Sequence, residues 1–406
     1  MSSHVVVTGI GVVSPNGFGT EEYWDATLAS KSGIGRITRF DPGQYPAQLA
    51  GEIDGFCAED HLPSRLVPQT DRMTQLALVG ADQALADAGV DPREGDAFGM
   101  GVMTASTSGG FEFGQGQLRN LWSKGSQYVS AYQSFAWFYA VNTGQISIRH
   151  GMRGPSGVVV GDQAGGLDAL AHARRLVRKG SDLILSGGVD AAICPWGWAA
   201  QLTTGRLSRA DQPERAYLPF DAEACGHVPG EGGALLVLEE ADAARRRGAR
   251  HVYGEISGYG STFDPRPGSG RPPGLRRAIE IALEDAGACP GDVDVVFADA
   301  AGVAGLDGEE AEAITGVFGR RAVPVTAPKT MTGRLGSGAG PLDVAAALLC
   351  MRDGVIAPTA HVVPRAGYGL DLVTEPRRTA VATALVLARG HGGFNSAVVL
   401  RSGAGA

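Results

Sequence analysis

The chain contains the sequence ALADAGVDP at residues 84–92 and a related sequence, ALEDAGACP, at residues 282–290. In both copies an apolar-periodic segment stops at a glycine and a proline follows shortly after, which is typical of the end of a helix. A short apolar strand is expected after each copy, at 97–104 in the first and at 293–298 in the second. The two copies therefore predict one helix–strand unit that occurs twice.

The two halves of the chain also begin alike. The sequence HVVV stands at 4–7 and HVY at 251–253. Three matches in the same order predict a duplicated domain. The arginine-rich segment 245–248 is interpreted as a solvated helix end between the halves rather than as a binding site. We place the boundary there, with an N-terminal half at 1–247 and a C-terminal half at 248–406.

A second unit recurs within these halves. Residues 157–161 form a β-branched run that predicts a strand, and a helix is expected from Asp162 to a stop at Gly180. The next buried strand is expected at 183–185. In the second half, 323–326 and 342–350 take the roles of strand and buried helix. Strands that alternate with helices in this way predict an α/β fold whose sheets are covered on both faces.

Composition indicates a globular protein. Hydrophobic residues make up 44% of the 406 residues and charged residues 19%, so a core can form without disulfides or metals. The formal net charge of −8 disfavours nucleic-acid binding, because contact with phosphates requires a basic surface.

Cellular location is predicted from the cysteines and the N-terminus. The five cysteines are widely spaced and form no C-x-x-C pair, which favours a reducing compartment. Residues 1–15 show no basic targeting region, and no apolar run approaches the roughly 18 residues of a membrane span. We therefore expect a cytoplasmic protein without a membrane partner.

Searches for common catalytic motifs lead to one place in the chain. The dinucleotide, P-loop and serine-hydrolase signatures are absent from the sequence, and the eight histidines have no spacing typical of a metal site. The sequence DQAGG at 162–166 lies at a strand-to-helix turn, where free N–H groups and the helix dipole would activate a cysteine. Gln163 occupies this turn, and an amide can hydrogen-bond a carbonyl but is no nucleophile.

Five further segments have a family pattern. They are VTGIGVVSP at 7–15, LSGGVD at 185–190, PFD at 219–221, GEGGA at 230–234 and GGFNS at 392–396. With these segments the chain resembles the β-ketoacyl synthases of the thiolase fold. Within them it is similar to the chain length factors (ketosynthase beta subunits) of type II aromatic polyketide synthases. The resemblance implies a duplicated thiolase-like fold of two βαβαβ-type halves in α-β-α-β-α layers.

The resemblance also implies that the catalytic residues are lost. Active relatives use a cysteine and two histidines, whose positions here are occupied by Gln163, Ala301 and Arg334. Condensation requires a thiolate that carries the acyl chain and donors that polarise the malonyl thioester. Lys329 and Glu310 still match the family pattern, and we interpret them as a structural ion pair. Three replacements together predict a subunit that no longer condenses.

Two gating phenylalanines of the family pattern are also replaced. Arg389 and His391 stand at their positions. The gate of active relatives is therefore altered in the same chain that has lost the nucleophile.

Two functions follow from the resemblance. The first is a non-condensing subunit that forms an obligate heterodimer with an active ketosynthase alpha subunit and helps to shape the polyketide chamber. Acyl chains would arrive on phosphopantetheinyl acyl carrier protein, with no other cofactor and no metal. The alternative is a malonyl-carrier decarboxylase that generates the acetyl primer, in which Gln163 holds the thioester carbonyl. A fully active synthase is disfavoured by the missing cysteine.

The resemblance places the polyketide chamber near Phe111, Gly114 and Leu118. Their spacing puts all three on one face of a helix, along roughly 10 Å of wall. Ordinary core packing is the alternative. A glycine between two large apolar residues predicts a gap that a growing chain could occupy.

An aromatic-rich stretch follows this segment. Tyr132, Phe135, Trp137, Phe138 and Tyr139 predict either a helix buried in the core or packing at a dimer interface. The sequence leaves both open.

Overall fold

The computed structural model describes residues 4–266 and 268–403. Residues 1–3, part of the N-terminal stretch considered above, lie outside the described residues. The strands are β1 Val5–Ser14, β2 Gly17–Phe18, β3 Ile34–Arg36, β4 Leu49–Gly51, β5 Met100–Ser106, β6 Gly157–Val160, β7 Leu183–Asp190, β8 Gly232–Glu240, β9 Gly254–Phe263, β10 Val295–Phe297, β11 Pro324–Thr326, β12 Val355–Ile356, β13 Asp371–Leu372, β14 Arg377–Arg378, β15 Thr383–Gly390 and β16 Phe394–Arg401.

Helices alternate with these strands. They are α1 Thr20–Leu28, α2 Arg72–Ala88, α3 Phe111–Lys124, α4 Gln133–Ala136, α5 Val141–His150, α6 Asp162–Arg178, α7 Pro195–Leu202, α8 Pro213–Ala216, α9 Ala241–Arg246, α10 Leu275–Ala286, α11 Ala304–Phe318 and α12 Ala339–Asp353. Short 3-10 turns lie at Ala58–Asp60, Val67–Gln69, Pro92–Glu94, Ser126–Tyr128, Pro290–Asp292, Pro328–Met331, Gly336–Gly338 and Ala366–Tyr368.

The two halves of the main sheet have the same topology. The first half has the order β6-β5-β7-β8-β1 and the second β11-β10-β15-β16-β9. In the first, β5 is parallel to β6 and β7, while β8 is antiparallel to β7 and β1. The second repeats this with β10 between β11 and β15, and with β16 between β15 and β9. The predicted duplication is confirmed.

The halves join through a short antiparallel pairing of β1 with β9, in which Val6 lies opposite Glu255. The sheet therefore continues from one half into the other. The predicted boundary after residue 247 falls in the connection between α9 and β9, and it stays a prediction.

Helices cover both faces of each half. Helices α6 and α12 lie between the two halves of the sheet, in one core with β1, β8, β15 and β16. Helices α2 and α5 pack on the outer face of the first half, and α10 and α11 on that of the second. This is the predicted α-β-α-β-α layering. Strands buried on both faces explain why β1 is buried over its whole length.

The repeated sequence forms the same helix end twice. Helix α2 stops at Gly89, which has φ 64°, and α10 stops at Gly287, which has φ 60°. Glycine is favoured there because other residues rarely adopt this left-handed conformation. The strands after each repeat form at Met100–Ser106 and Val295–Phe297, close to the expected ranges.

The carboxyl ends of parallel strands from both halves meet on one side of the molecule. Strand β6 leads into α6, β5 and β7 end at Ser106 and Asp190, and β10 ends at Phe297. Ligands of open α/β sheets bind at such strand ends. None of the helices in the described ranges is long and apolar enough to span a bilayer.

Candidate active site

A pocket of about 350 Å³ lies at these strand ends. It brings together Gln163, Ala301, Arg334 and Phe111, which the sequence singled out, and also the gate residues Arg389 and His391. The other predicted site residues lie outside its lining. They are Gly114, Leu118, Lys329 and Glu310.

The turn between β6 and α6, at residues 161–163 and called the elbow below, has a tightly packed backbone. Asp162 has φ 52°, and its carboxylate accepts a hydrogen bond from the backbone N–H of His391 at 2.9 Å. A Cβ atom on Gly166 would lie 2.2 Å from the carbonyl oxygen of Ser337, so only glycine fits there. A loop of the second half is thus packed against the first turn of α6.

Gln163 follows in the first turn of α6. Its side chain is buried, with 4% of the residue exposed, and its Oε1 atom has no hydrogen-bond partner. Most buried polar atoms are paired, because an unpaired one costs about 1–3 kcal/mol. Among the pocket-lining side chains, Gln163 therefore retains an unused capacity to bind a ligand.

The first histidine position lies in the loop after β10. Ala301 lines the pocket with a methyl group, which cannot polarise a carbonyl. The preceding Ala300 has φ 52° and is held there by hydrogen bonds. Its N–H donates to Glu310 at 2.8 Å, and its C=O accepts from the Tyr217 hydroxyl at 2.6 Å. The loop is fixed, but its catalytic side chain is gone.

Arg334 occupies the second histidine position, and its guanidinium is bound by other groups of the protein. Its guanidinium forms a two-point ion pair with the buried Asp299, with N–O distances of 3.0 and 3.1 Å. It also donates to the backbone carbonyls of Asp299 at 2.8 Å and of Arg389 at 3.3 Å. Arg334 therefore joins the two loops of the lost histidines.

Burial opposes the ionisation of Asp299, but the charges of Arg334 and Lys329 hold its pKa below the ordinary value. The pKa of Arg334 is raised because attraction to Asp299 outweighs the effect of burial. The pair is therefore charged and internally neutralised, and it offers no free cation to a substrate.

The predicted ion pair between Lys329 and Glu310 is wrong. Lys329 instead pairs with Asp343 at 2.6 Å and donates to the carbonyl oxygen of Ala298 at 2.7 Å. Glu310 accepts from the N–H groups of Asp299 and Ala300. Burial, together with repulsion from Asp299, raises the pKa of Glu310. Both residues are structural, but Lys329 pairs with Asp343, and Glu310 accepts backbone N–H groups. A buried charged group requires such a partner, because leaving it unpaired is costly.

The gate positions carry polar side chains. Arg389 donates to Glu309 at 2.6 Å and to the carbonyl oxygen of Leu306 at 3.0 Å, both on α11. His391 is exposed at the mouth of the pocket. An ionic tie between β15 and α11 thus stands where active relatives have an aromatic side chain.

His227 and Asp299 are pocket residues that the sequence reasoning missed. Burial, together with the charge of Arg334, lowers the pKa of the His227 imidazole to about 3. It is therefore neutral at physiological pH. The sequence signal for His227 is the segment CGHV at 225–228, which lies between the family segments PFD and GEGGA and close to both.

The predicted chamber helix forms as α3. Phe111 lies at the pocket and stacks on Trp196, with ring centroids 4.7 Å apart. The expected gap beside Gly114 is filled, because a Cβ atom there would lie 3.1 Å from the Trp196 ring. Leu118 is 41% exposed. In this chain alone, Phe111 lines the pocket, Trp196 packs on Phe111 and beside Gly114 without lining the pocket, and Leu118 points to the surface.

The aromatic stretch after α3 does not form a buried helix. Only Gln133–Ala136 is helical, and Tyr132, Trp137, Phe138 and Tyr139 are each 38–45% exposed. The core interpretation is therefore wrong for these four side chains. A short helix followed by a turn cannot bury rings that point in several directions.

Family models match both halves of the chain. The model for the β-ketoacyl synthase N-terminal domain matches residues 2–244, and that for the C-terminal domain matches residues 253–363. The chain belongs to the β-ketoacyl synthase family.

Curated relatives cover almost the whole β-ketoacyl synthase chain. It is 63% identical to the actinorhodin polyketide putative beta-ketoacyl synthase 2 of Streptomyces coelicolor, over 98% of both chains. It is 64% identical to the tetracenomycin polyketide synthase ketoacyl synthase beta subunit of Streptomyces glaucescens, also over 98% of both.

Solved structures confirm the thiolase-like ketosynthase fold. The ishigamide ketosynthase/chain length factor is 27% identical, with a TM-score of 0.90 over 100% of both chains. A type II polyketide synthase acyl carrier protein in complex with its ketosynthase bound to the hexaketide contains a chain 27% identical, with a TM-score of 0.89. That match covers 99% of this chain and 100% of the other.

Proposed function

We propose that this chain is the non-condensing, chain-length-determining subunit of a type II polyketide ketosynthase heterodimer. The observation that carries the proposal is the pocket itself. Its backbone framework is that of a ketosynthase, while Gln163, Ala301 and Arg334 supply neither a thiolate nor polarising donors. A family member that retains the fold and lacks the reacting groups needs a partner that holds them.

An unpartnered surface supports the heterodimer. Strand β6 lies at the edge of the sheet, where its outer backbone groups are free to pair with another chain. Val160 on β6 is 47% exposed. Trp122 on the chamber helix α3 is 83% exposed, and Trp137, in the aromatic stretch after α3, is 45% exposed. Large exposed apolar surfaces mark interfaces, and obligate ones are hydrophobic. Expressed alone, the chain should aggregate.

The partners follow from the relatives. One relative is a ketoacyl synthase beta subunit, one solved structure is a ketosynthase/chain length factor, and another contains an acyl carrier protein. For this chain we infer an active ketosynthase alpha subunit and a phosphopantetheinyl acyl carrier protein. The acyl chain would be carried by the carrier protein, and no further cofactor is needed.

Product length tests the proposal. Trp196 stacks on the pocket-lining Phe111 and fills the space beside Gly114. Trp196→Ala should therefore give the Phe111 ring room to move away from the pocket, and Gly114→Phe should crowd it. In the reconstituted heterodimer we expect longer products from Trp196→Ala and shorter ones from Gly114→Phe. Leu118→Ala should also lengthen the product if the partner covers Leu118. Mass spectrometry of the products is the measurement.

Unchanged product length in all three variants, at normal turnover, would contradict a measuring role for this wall. Co-purification provides the control, because a variant that no longer forms the heterodimer says nothing about length.

Decarboxylation of malonyl-carrier protein is a second candidate function. It is favoured by the unpaired Oε1 of Gln163 at the N-terminus of α6, where a thioester carbonyl could contact the amide and the helix dipole. Gln163→Ala should then slow initiation from malonyl units and spare elongation from a supplied acetyl primer. If Gln163→Ala and the unaltered protein have equal rates of both initiation and elongation, Gln163 only fills space and has no role in decarboxylation.

A further inference from the structure

Two aromatic rings are exposed together at the ends of neighbouring strands. Phe263 at the end of β9 is 61% exposed, and Phe394 at the start of β16 is 38% exposed. The two residues lie opposite each other in the ladder, and their ring centroids are 4.9 Å apart at an interplanar angle of 82°. Contiguous exposed apolar side chains commonly mark interaction sites.

This ring pair lies at the mouth of the pocket. Asp264 follows Phe263, lines the pocket and donates its N–H to the carbonyl oxygen of Gly393 at 2.8 Å. Gly393, directly before Phe394, and His391, three residues before it, line the pocket as well. A molecule that covered the two rings would therefore stand directly over the pocket opening.

The same surface carries positive charge. Arg266 and Arg271 are exposed, and within the described ranges neither forms an ion pair. Arg206 lines the pocket and is likewise without a carboxylate partner among the described residues. Arg266 and Arg271 do not line the pocket, but each lies within three residues of Asp264 or Gly274, which are hydrogen-bonded to each other at the pocket edge. We call Phe263, Phe394, His391, Arg206, Arg266 and Arg271 the mouth surface.

The acidic groups beside the mouth surface are held by contacts within the chain other than these arginines, and the carboxylate of Asp162 accepts the N–H of His391 at 2.9 Å. Asp264 accepts from the N–H of Gly274 at 2.7 Å and from Asn395 at 2.8 Å. Glu309 is paired with Arg389 at 2.6 Å. The arginines therefore face solvent without an acidic partner from this chain, which leaves the surface complementary to an acidic one.

The mouth surface is separate from the surface proposed for the ketosynthase partner. Strand β6 lies at one end of the first half-sheet, and β1, β8, β7 and β5 stand between it and β9. A partner that pairs with β6 leaves the ends of β9 and β16 uncovered.

We propose that the mouth surface docks an acidic helical protein that presents an apolar side chain among its carboxylates. On the proposed function this protein is the acyl carrier protein, so that the heterodimer has a docking site on this subunit in addition to that of its ketosynthase partner. The ring pair supplies apolar contact, and the arginines supply steering and orientation. Docking here places a carried acyl group at the pocket that contains Gln163.

Titration of the intact heterodimer with holo acyl carrier protein tests the proposal. At low salt we expect two carriers per heterodimer, and one in the double variant Arg266→Glu/Arg271→Glu. The expected loss of affinity at the second site is at least tenfold, and it should shrink as salt is added, because exposed charges are screened. Phe263→Ser should weaken the same site at every salt concentration.

The matched control is Arg245→Glu/Arg246→Glu on α9, which makes the same charge change at exposed arginines. Helix α9 follows β8 at Glu240, whereas the pocket residue Asp190 pairs with Gly232 at the other end of β8. One carrier per heterodimer in the unaltered protein, or equal losses in the two double variants, would overturn the proposal. If Trp196→Ala or Gly114→Phe still changes product length, the proposed function is supported although the docking proposal has failed.

Discussion

The elbow before α6 and the two histidine loops have lost the same chemistry in different ways. At the elbow, the backbone and the packing against Ser337 are kept, and the substituted Gln163 is left with an unpaired oxygen. In the histidine loops, the substituted Arg334 is fully engaged by Asp299 and backbone carbonyls. The elbow is an unfilled site, whereas the histidine loops have been converted into a structural cross-link.

The difference has a physical cause. A neutral amide at a helix N-terminus can remain unpaired at a modest cost. A buried guanidinium cannot, because an unpaired buried charge is destabilising by several kcal/mol. Replacing a histidine by arginine therefore requires a buried acid, and Asp299 provides it. The four predictions that follow would break or sharpen this contrast.

The largest effect is expected for Arg334→Ala, which leaves Asp299 buried without its partner. We expect a loss of about 3–5 kcal/mol in the free energy of unfolding. Adding Asp299→Asn should restore most of it, because the amide oxygen can still accept the Arg389 N–H that Asp299 now binds at 2.8 Å. Denaturant unfolding of the four variants, each assembled with the same partner at one fixed protein concentration, is the measurement. Additive effects would mean that the two side chains are not coupled.

Gly166→Ala should destabilise the elbow by about 3 kcal/mol, at the upper end of typical overpacking. The new Cβ would lie 2.2 Å from a backbone oxygen and 2.4 Å from the Pro341 ring. Gly165→Ala is the matched control, since its Cβ would meet neighbours only at 3.9 Å and alanine favours the helix. Equal melting temperatures for the two variants would contradict the close packing of the elbow.

A smaller effect concerns pH. Burial raises the pKa of Asp307 from 3.8 to about 6, against two backbone hydrogen bonds from Phe220 and Gly302. The folded state binds the proton more tightly than the unfolded state. The free energy of unfolding therefore increases as the pH falls through 6, and it decreases as the pH rises through 6. Between pH 7 and pH 5 the wild type should gain about 1 kcal/mol relative to Asp307→Asn. A pH-independent difference between the two proteins would refute this assignment.

No gain of condensation is expected for Gln163→Cys. The thiol would stand at a helix N-terminus, but Ala301 and Arg334 still supply no free polarising donor. The assay uses the heterodimer with the partner's nucleophile inactivated, and the intact heterodimer is the control. Condensation product from Gln163→Cys would overturn the interpretation of both histidine loops.

The sequence was sufficient for the layered, duplicated fold. The signals for it are local: hydrophobic periodicity, the helix stops at Gly89 and Gly287, and the repeated order of elements. Each of these signals is present in both halves. The positions of Gln163, Ala301 and Arg334 came from motif resemblance, and the structure brings all three to one pocket.

Only the tertiary structure decided which side chains form ion pairs or pack against each other. Lys329 binds Asp343 rather than Glu310, Trp196 fills the space beside Gly114, and Asp299 neutralises Arg334. The two members of each pair come from separate elements or loops, and Gly114 and Trp196 are 82 residues apart in the chain. Periodicity tells which face of an element is buried. It does not tell which charge or ring from another element will lie against it, because that depends on packing of the whole chain.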